Sequence, residues 1–131
     1  MNQERSPLTI ARACLKAYVE KDRAAIESML ADDYHFTSPI DNALDRTTYF
    51  KRCWPNSKAM EAFDFIYGAE FGDHALIVYE ARTNTGKRFR NSEVHTIRDG
   101  KLIATEVYFG WDLPHPAPVG SFIENHGAGH A

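Results

Sequence analysis

NSEVHTIRDGKLIATEVYFGW, residues 91 to 111, alternates polar and apolar side chains on both sides of Asp99-Gly100. Alternation of period two is the mark of a strand, and Asp-Gly is the pair that a two-residue hairpin turn demands. The stretch therefore reads as two antiparallel strands, and the same pattern extends upstream. From Met60 onward, strands are expected at about 61–71, 74–84, 87–98 and 101–111, broken at Gly72-Asp73, Thr85-Gly86 and Asp99-Gly100. Three successive hairpins make a bent antiparallel meander.

Before the meander the period is helical. Ser6-Pro7 reads as an N-cap and first-turn proline, with Leu8, Ala11, Leu15 and Val19 recurring on one face of a helix to about Lys21. Asp22 caps a second short helix whose stripe is Ala25, Ile26, Met29 and Leu30. Residues 34–38 read as a strand stopped by Pro39, followed by a polar loop DNALD and a third helix RTTYFKRCW, which ends where Trp54 precedes Pro55. Helices followed by a long meander give an α+β architecture, a cone-shaped sheet closed by the N-terminal helices with a cavity between them. The chain reads as a single domain over 1–131, with a core at about 8–111 and an extended arm at about 112–131.

Composition narrows the function classes. An apolar share of 44% and a charged share of 25% exclude a disordered chain. The net charge of −3 is interspersed along the chain, so neither a nucleic acid nor an anionic membrane is an expected partner. No run is long enough to span a bilayer, and MNQERSPLTI lacks the apolar segment of a signal peptide, so a cytoplasmic location is expected. Cys14 and Cys53 have no metal-ligand spacing and read as core thiols. His126 and His130 would suit a metal only on a helix, which Gly127 and Gly129 oppose, so no metal and no cofactor are expected.

Three stretches, AYVEKDRAAIESMLADDYHFTSP, DRTTYFKRCW and IRDGKLIATEVYFG, resemble the nuclear transport factor 2-like superfamily, nearer to its polyketide-cyclase-like and ketosteroid-isomerase-like branch. The resemblance implies the cone-shaped, cystatin-like fold, and a scaffold that carries isomerases, cyclases, hydrolases, dehydratases and silent binding modules alike. In ketosteroid isomerases the general base directly precedes the proline ending the first strand, and Ser38 stands there. The family's helix-one tyrosine is matched by Cys14, and its second oxyanion acid by Val94, or by Glu93 if the register slips by one. In the limonene-epoxide-hydrolase branch Arg82 matches, while Asn84 and Val107 replace the two aspartates. The carboxylate that would activate water in either machine is missing from those places.

Residue types on the meander offer two faces. With two-residue turns at Asp99-Gly100 and Thr85-Gly86, Asn91, Glu93, His95, Glu106 and Tyr108 share one face with Glu80 and Arg82. Tyr79, Arg90, Ser92, Val94, Val107, Phe109 and Trp111 share the other. The resemblance places Val107 and Phe109 on the concave side, so the expected pocket is Tyr18, Phe36, Ser38, Trp54, Tyr79, Arg90, Ser92, Val107, Phe109 and Trp111, with Asp41 as its catalytic acid or base. The set of Arg82, Asn91, Glu93, His95, Glu106 and Tyr108 then forms the convex face, either as a homodimer surface or as an alternative polar site. The expected ligand is a small hydrophobic molecule met by acid-base chemistry, and the competing reading is a non-enzymatic homodimeric binding module.

Overall fold

The computed structural model describes residues 6–124. Helix α1 (Pro7–Glu20) begins where the Ser6 hydroxyl accepts the Thr9 N–H, and it ends at Lys21, whose left-handed backbone returns its N–H to the Ala17 and Tyr18 carbonyls. Helix α2 (Arg23–Met29) is capped by Asp22 and helix α3 (Arg46–Arg52) by Asp45. A 3-10 helix (Trp54–Ala59) follows α3. The third helix therefore closes at Arg52, two residues before the expected end, and Pro55 opens the tighter turn instead of ending the longer one.

Among the described residues six strands form one sheet: β1 (Leu30–Ser38), β2 (Asp41–Asp45), β3 (Met60–Phe71), β4 (His74–Thr83), β5 (Arg88–Arg98) and β6 (Lys101–Leu113). Their order is β2-β1-β6-β5-β4-β3. Strand β1 runs parallel to β6, and every other pairing is antiparallel. The first strand begins at Leu30, four residues before the expected start, directly after α2. DNALD, expected as a loop, is β2, which folds back so that Phe36 pairs with Leu44 and Ser38 with Asp41. Its polar side chains hid it, because an edge strand is held by backbone hydrogen bonds and need bury little.

The meander has the expected strands but a different register. Asp99 and Gly100 form a two-residue turn, both with positive φ, so Arg98 pairs with Lys101 and Ile97 with Leu102. The ladder then slips at Ile103, an extra residue on β6, and continues as Thr96 with Ala104, His95 with Thr105 and Glu93 with Val107. This is a β-bulge, and every side chain beyond it changes face relative to a regular ladder. The turn between β4 and β5 also holds one residue more than expected. Arg82 pairs with Arg88 and Tyr79 with Asn91, around a loop in which Gly86 takes a φ of 90° and the Thr83 N–H reaches the Lys87 carbonyl.

The two shifts re-sort the faces. Tyr79, Asn91, Glu93, His95, Thr105, Val107, Phe109 and Trp111 share the inner side. Glu80, Arg82, Arg90, Ser92, Val94, Glu106 and Tyr108 share the outer side. The expectation that Glu93, His95 and Asn91 are convex partners of Glu106 and Tyr108 is corrected, as is the placing of Arg90 and Ser92 in the cavity. All three helices lie on the inner side. Ile10, Cys14, Ala17 and Ile26 pack with Tyr34, Tyr49, Phe50, Ile97 and Leu102, while Ala11 and Leu15 pack on Ala75, Ile77, Tyr79 and Ala81. No described helix is long and apolar enough to cross a membrane.

Candidate functional site

Between α1 and the inner face of the sheet lies a cavity of about 470 Å³. That is within the usual range for small-molecule sites, roughly 300 to 1,000 Å³. Its walls are mostly apolar and rich in aromatic rings: Tyr18, Tyr34, Phe36, Tyr49, Phe63, Tyr79, Phe89, Phe109 and Trp111. Tyr18 and Phe63 stack with ring planes 7° apart, and Phe63 meets Tyr79 at 4.7 Å between centroids. Ile40, Phe109 and Trp111 stand exposed at the mouth, with Lys87 and Asp112 beside them.

A linked polar cluster occupies the inner wall. The Tyr79 hydroxyl donates to Glu93 Oε2 at 2.7 Å. His95 Nε2 lies 2.9 Å from Glu93 Oε1. It lies off the axis of a hydrogen bond, and among the described residues it has no directed partner. On the far side of the ring, His95 Nδ1 and the Thr105 hydroxyl share a hydrogen bond of 3.1 Å. Glu93 is 7% exposed and His95 1%, so the carboxylate is the more accessible member and the imidazole sits behind it. Among the described residues no Lys or Arg side chain is paired with Glu93. The Tyr79 hydroxyl is thus the donor that meets the polar demand of this deep carboxyl group.

Asp41, at the mouth, is tied differently. It forms an ion pair with Arg52 and accepts the Ser38 hydroxyl at 2.8 Å. Burial would raise its pKa, but the Arg52 and Ser38 hydrogen bonds outweigh that and hold the carboxyl below its ordinary value. A carboxylate so stabilised is a weak proton acceptor.

The structure brings Tyr18, Phe36, Ser38, Asp41, Tyr79, Val107, Phe109 and Trp111 to the cavity lining, and with them Asn91, Glu93 and His95 from the set expected on the other face. Trp54 stands one layer back, edge-on to Tyr18 at 5.7 Å. Arg82 is outside the cavity, bonded to Glu61 at 3.0 Å. Arg90 faces Glu80 on the outer side, and Glu106 accepts the exposed Tyr108 hydroxyl at 2.6 Å. Sequence reasoning missed Tyr34, Tyr49, Phe63, Phe89 and Thr105. The one signal available was the apolar triplet Leu102-Ile103-Ala104, which breaks the alternation of β6 where the bulge lies. Among the described residues no group of His, Cys, Asp and Glu converges to hold a metal, and His126 and His130 lie outside them.

A helix-capped, strongly bent six-stranded sheet with β1 parallel to β6, enclosing a cavity beneath α1, decides the comparison. The fold is that of the nuclear transport factor 2-like proteins. An NTF2-like protein of unknown function from Cytophaga hutchinsonii superposes with a TM-score of 0.68 at 17% identity, over 84% of this chain and 95% of that one. A candidate polyketide cyclase from Sinorhizobium meliloti gives 0.65 at 20% identity, over 76% and 93%. An LEH-like epoxide hydrolase from M. tuberculosis gives 0.67 at 17%, over 79% and 82%. At these identities the likeness is one of fold. No protein-family model matches the sequence, and no curated protein matches it.

Burial in this NTF2-like interior has a measurable consequence at high pH. It pushes the Cys14 thiol up to about 12 and the Cys53 thiol up to about 11. Burial likewise raises Tyr34, Tyr49 and Tyr79 well above their ordinary 10.0, and for Tyr79 the neighbouring Glu93 charge adds to it. Groups whose folded pKa is raised hold their protons more tightly when folded. Their contribution is full below the unfolded values and is lost as pH rises towards the folded ones. Thermal melts are therefore expected to fall steeply from about pH 9 upward. Tyrosinate absorbance should rise together with the loss of structure, whereas titration of these rings in the folded protein at ordinary pKa would contradict the burial.

Proposed function

We propose that the cavity binds a small, largely hydrophobic molecule and that Glu93 is the group that exchanges a proton with it. Tyr79 holds the carboxylate in place, His95 stands against its other oxygen, and Thr105 holds the imidazole. The observation that carries this reading is a buried carboxylate, linked to a tyrosine and a histidine, on the wall of an aromatic cavity. The reactions within reach are those of the expected class: isomerisation, cyclisation or dehydration by proton removal and return. Asp41, first expected in this role, is the weaker base because Arg52 and Ser38 already stabilise its charge.

Binding is tested with the uncharged probe N-phenyl-1-naphthylamine. Val107→Trp, which fills the cavity, should abolish its enhanced fluorescence, and Tyr108→Trp, one residue on and facing outward, should leave it intact. Equal binding by the two variants would contradict the reading. On a substrate found by screening, Glu93→Gln should lower kcat about 100-fold or more. Asp41→Asn should cost far less, and the reverse order would return the role to Asp41.

A second reading is favoured by one observation. All three helices lie on the inner side of the sheet, and the outer face carries exposed Tyr67, Phe71 and Tyr108. The same face bears both signs of charge, Glu61, Glu80 and Glu106 against Arg82, Arg88 and Arg90. Such a face is self-complementary, so the partner we propose is a second copy of the chain. Tyr108→Glu combined with Glu106→Arg is expected to shift the protein to monomer in sedimentation velocity. A wild type that sediments as a monomer would end this reading without touching the first.

A further inference from the structure

The ionisable side chains around the cavity point to the charge of its ligand. Among the described residues the acids lining it are Asp41, Glu93 and Asp112, and the one lysine, Lys87, is exposed at the rim. Asp41 is neutralised by Arg52. Among the described residues Glu93 has no such partner: its neighbours are a tyrosine hydroxyl and an imidazole whose Nε2 is not directed at it. Below the rim, the aromatic side chains supply ring faces, which attract cations through their quadrupoles.

We infer that the ligand of this cavity is a small organic cation, an ammonium or iminium group on an apolar body, with its charge placed against Glu93. The inference rests on the preceding reading that Glu93 meets the ligand, and it specifies the ligand's class. A carboxylate here serves both ends. It attracts the cation, and it is the base towards which a cation most readily releases a proton, because that release cancels two opposite charges. Anionic molecules are excluded by the same group, since two like charges in a low-dielectric cavity repel strongly.

Three compounds of one shape test this: 2-(1-naphthyl)ethylamine, 2-(1-naphthyl)ethanol and 1-naphthylacetate, titrated into the full chain by calorimetry at about pH 8, where a primary amine keeps its proton. The amine is expected to bind about tenfold more tightly than the alcohol, and the acetate least of all. Glu93→Gln should erase the difference between amine and alcohol. Should that variant not fold, the wild-type series decides alone. Alcohol or acetate binding as tightly as amine overturns the inference and leaves the hydrophobic pocket standing. An amine preference that survives in folded Glu93→Gln overturns the role of Glu93. Binding of none of the three, with N-phenyl-1-naphthylamine also unbound, overturns the pocket reading and the inference with it.

Discussion

Glu93→Ala is expected to lower stability by about 1 to 3 kcal/mol, read from urea unfolding. The substitution does more than remove a charge. It leaves the Tyr79 hydroxyl without its acceptor and strips the His95 ring of its 2.9 Å neighbour, in a site where neither side chain reaches bulk water. Because a domain of this size is stable by only about 5 to 15 kcal/mol, that loss is a readily measured share of the total. Glu93→Gln keeps an acceptor for Tyr79 and should lose markedly less. Glu106→Ala is the control. It removes an exposed carboxylate from the outer side of the neighbouring strand, where changes stay within about 0.5 kcal/mol. Equal losses at positions 93 and 106 would place the two carboxylates on one face and contradict the observed register.

Leu102→Ala should cost about 2 to 5 kcal/mol. Leu102 is fully buried where β6 enters the bulge, pairs with Ile97 across the ladder, and belongs to the core shared by α1, α2 and α3. Alanine there opens a void that three helices and two strands would have to close together, so relaxation should recover little of the loss. Ile103→Ala, at the half-buried extra residue, should cost less. If Ile103 proved the costlier of the two, the bulge would lie at a different residue from the one the pairing gives.

Much of the fold was legible in the sequence, for local reasons. Ser6 and Asp22 are capping residues next to helical stripes, and Asp99-Gly100 is a turn pair that imposes its own backbone geometry. These signals act over three or four residues, so no knowledge of the rest of the chain was needed. DNALD carried no such signal, since an edge strand is defined by its neighbour's hydrogen bonds and not by its own side chains. The site failed for a sharper reason. Facing is a parity, and one extra residue in a turn or strand inverts it. The third residue of the loop before Lys87 and the extra Ile103 each did so. Glu93 and His95 were thereby grouped with Glu106, although they face Val107 and Thr105. Where the cavity residues come from β1 and α1, as with Tyr18, Phe36 and Ser38, no register intervenes, and the structure brings each of them to the cavity lining.

The position of the His95 ring is the most direct test of this account, measured by nuclear Overhauser effects in the full chain. The bulge at Ile103 predicts strong contacts from the His95 ring protons to the Thr105 methyl and Glu93 side chain, and none to the side chains of Glu106 or Tyr108. Cross-peaks joining His95 to Glu106, with Thr105 silent, would return the polar cluster to the outer face and remove the carboxylate from the cavity.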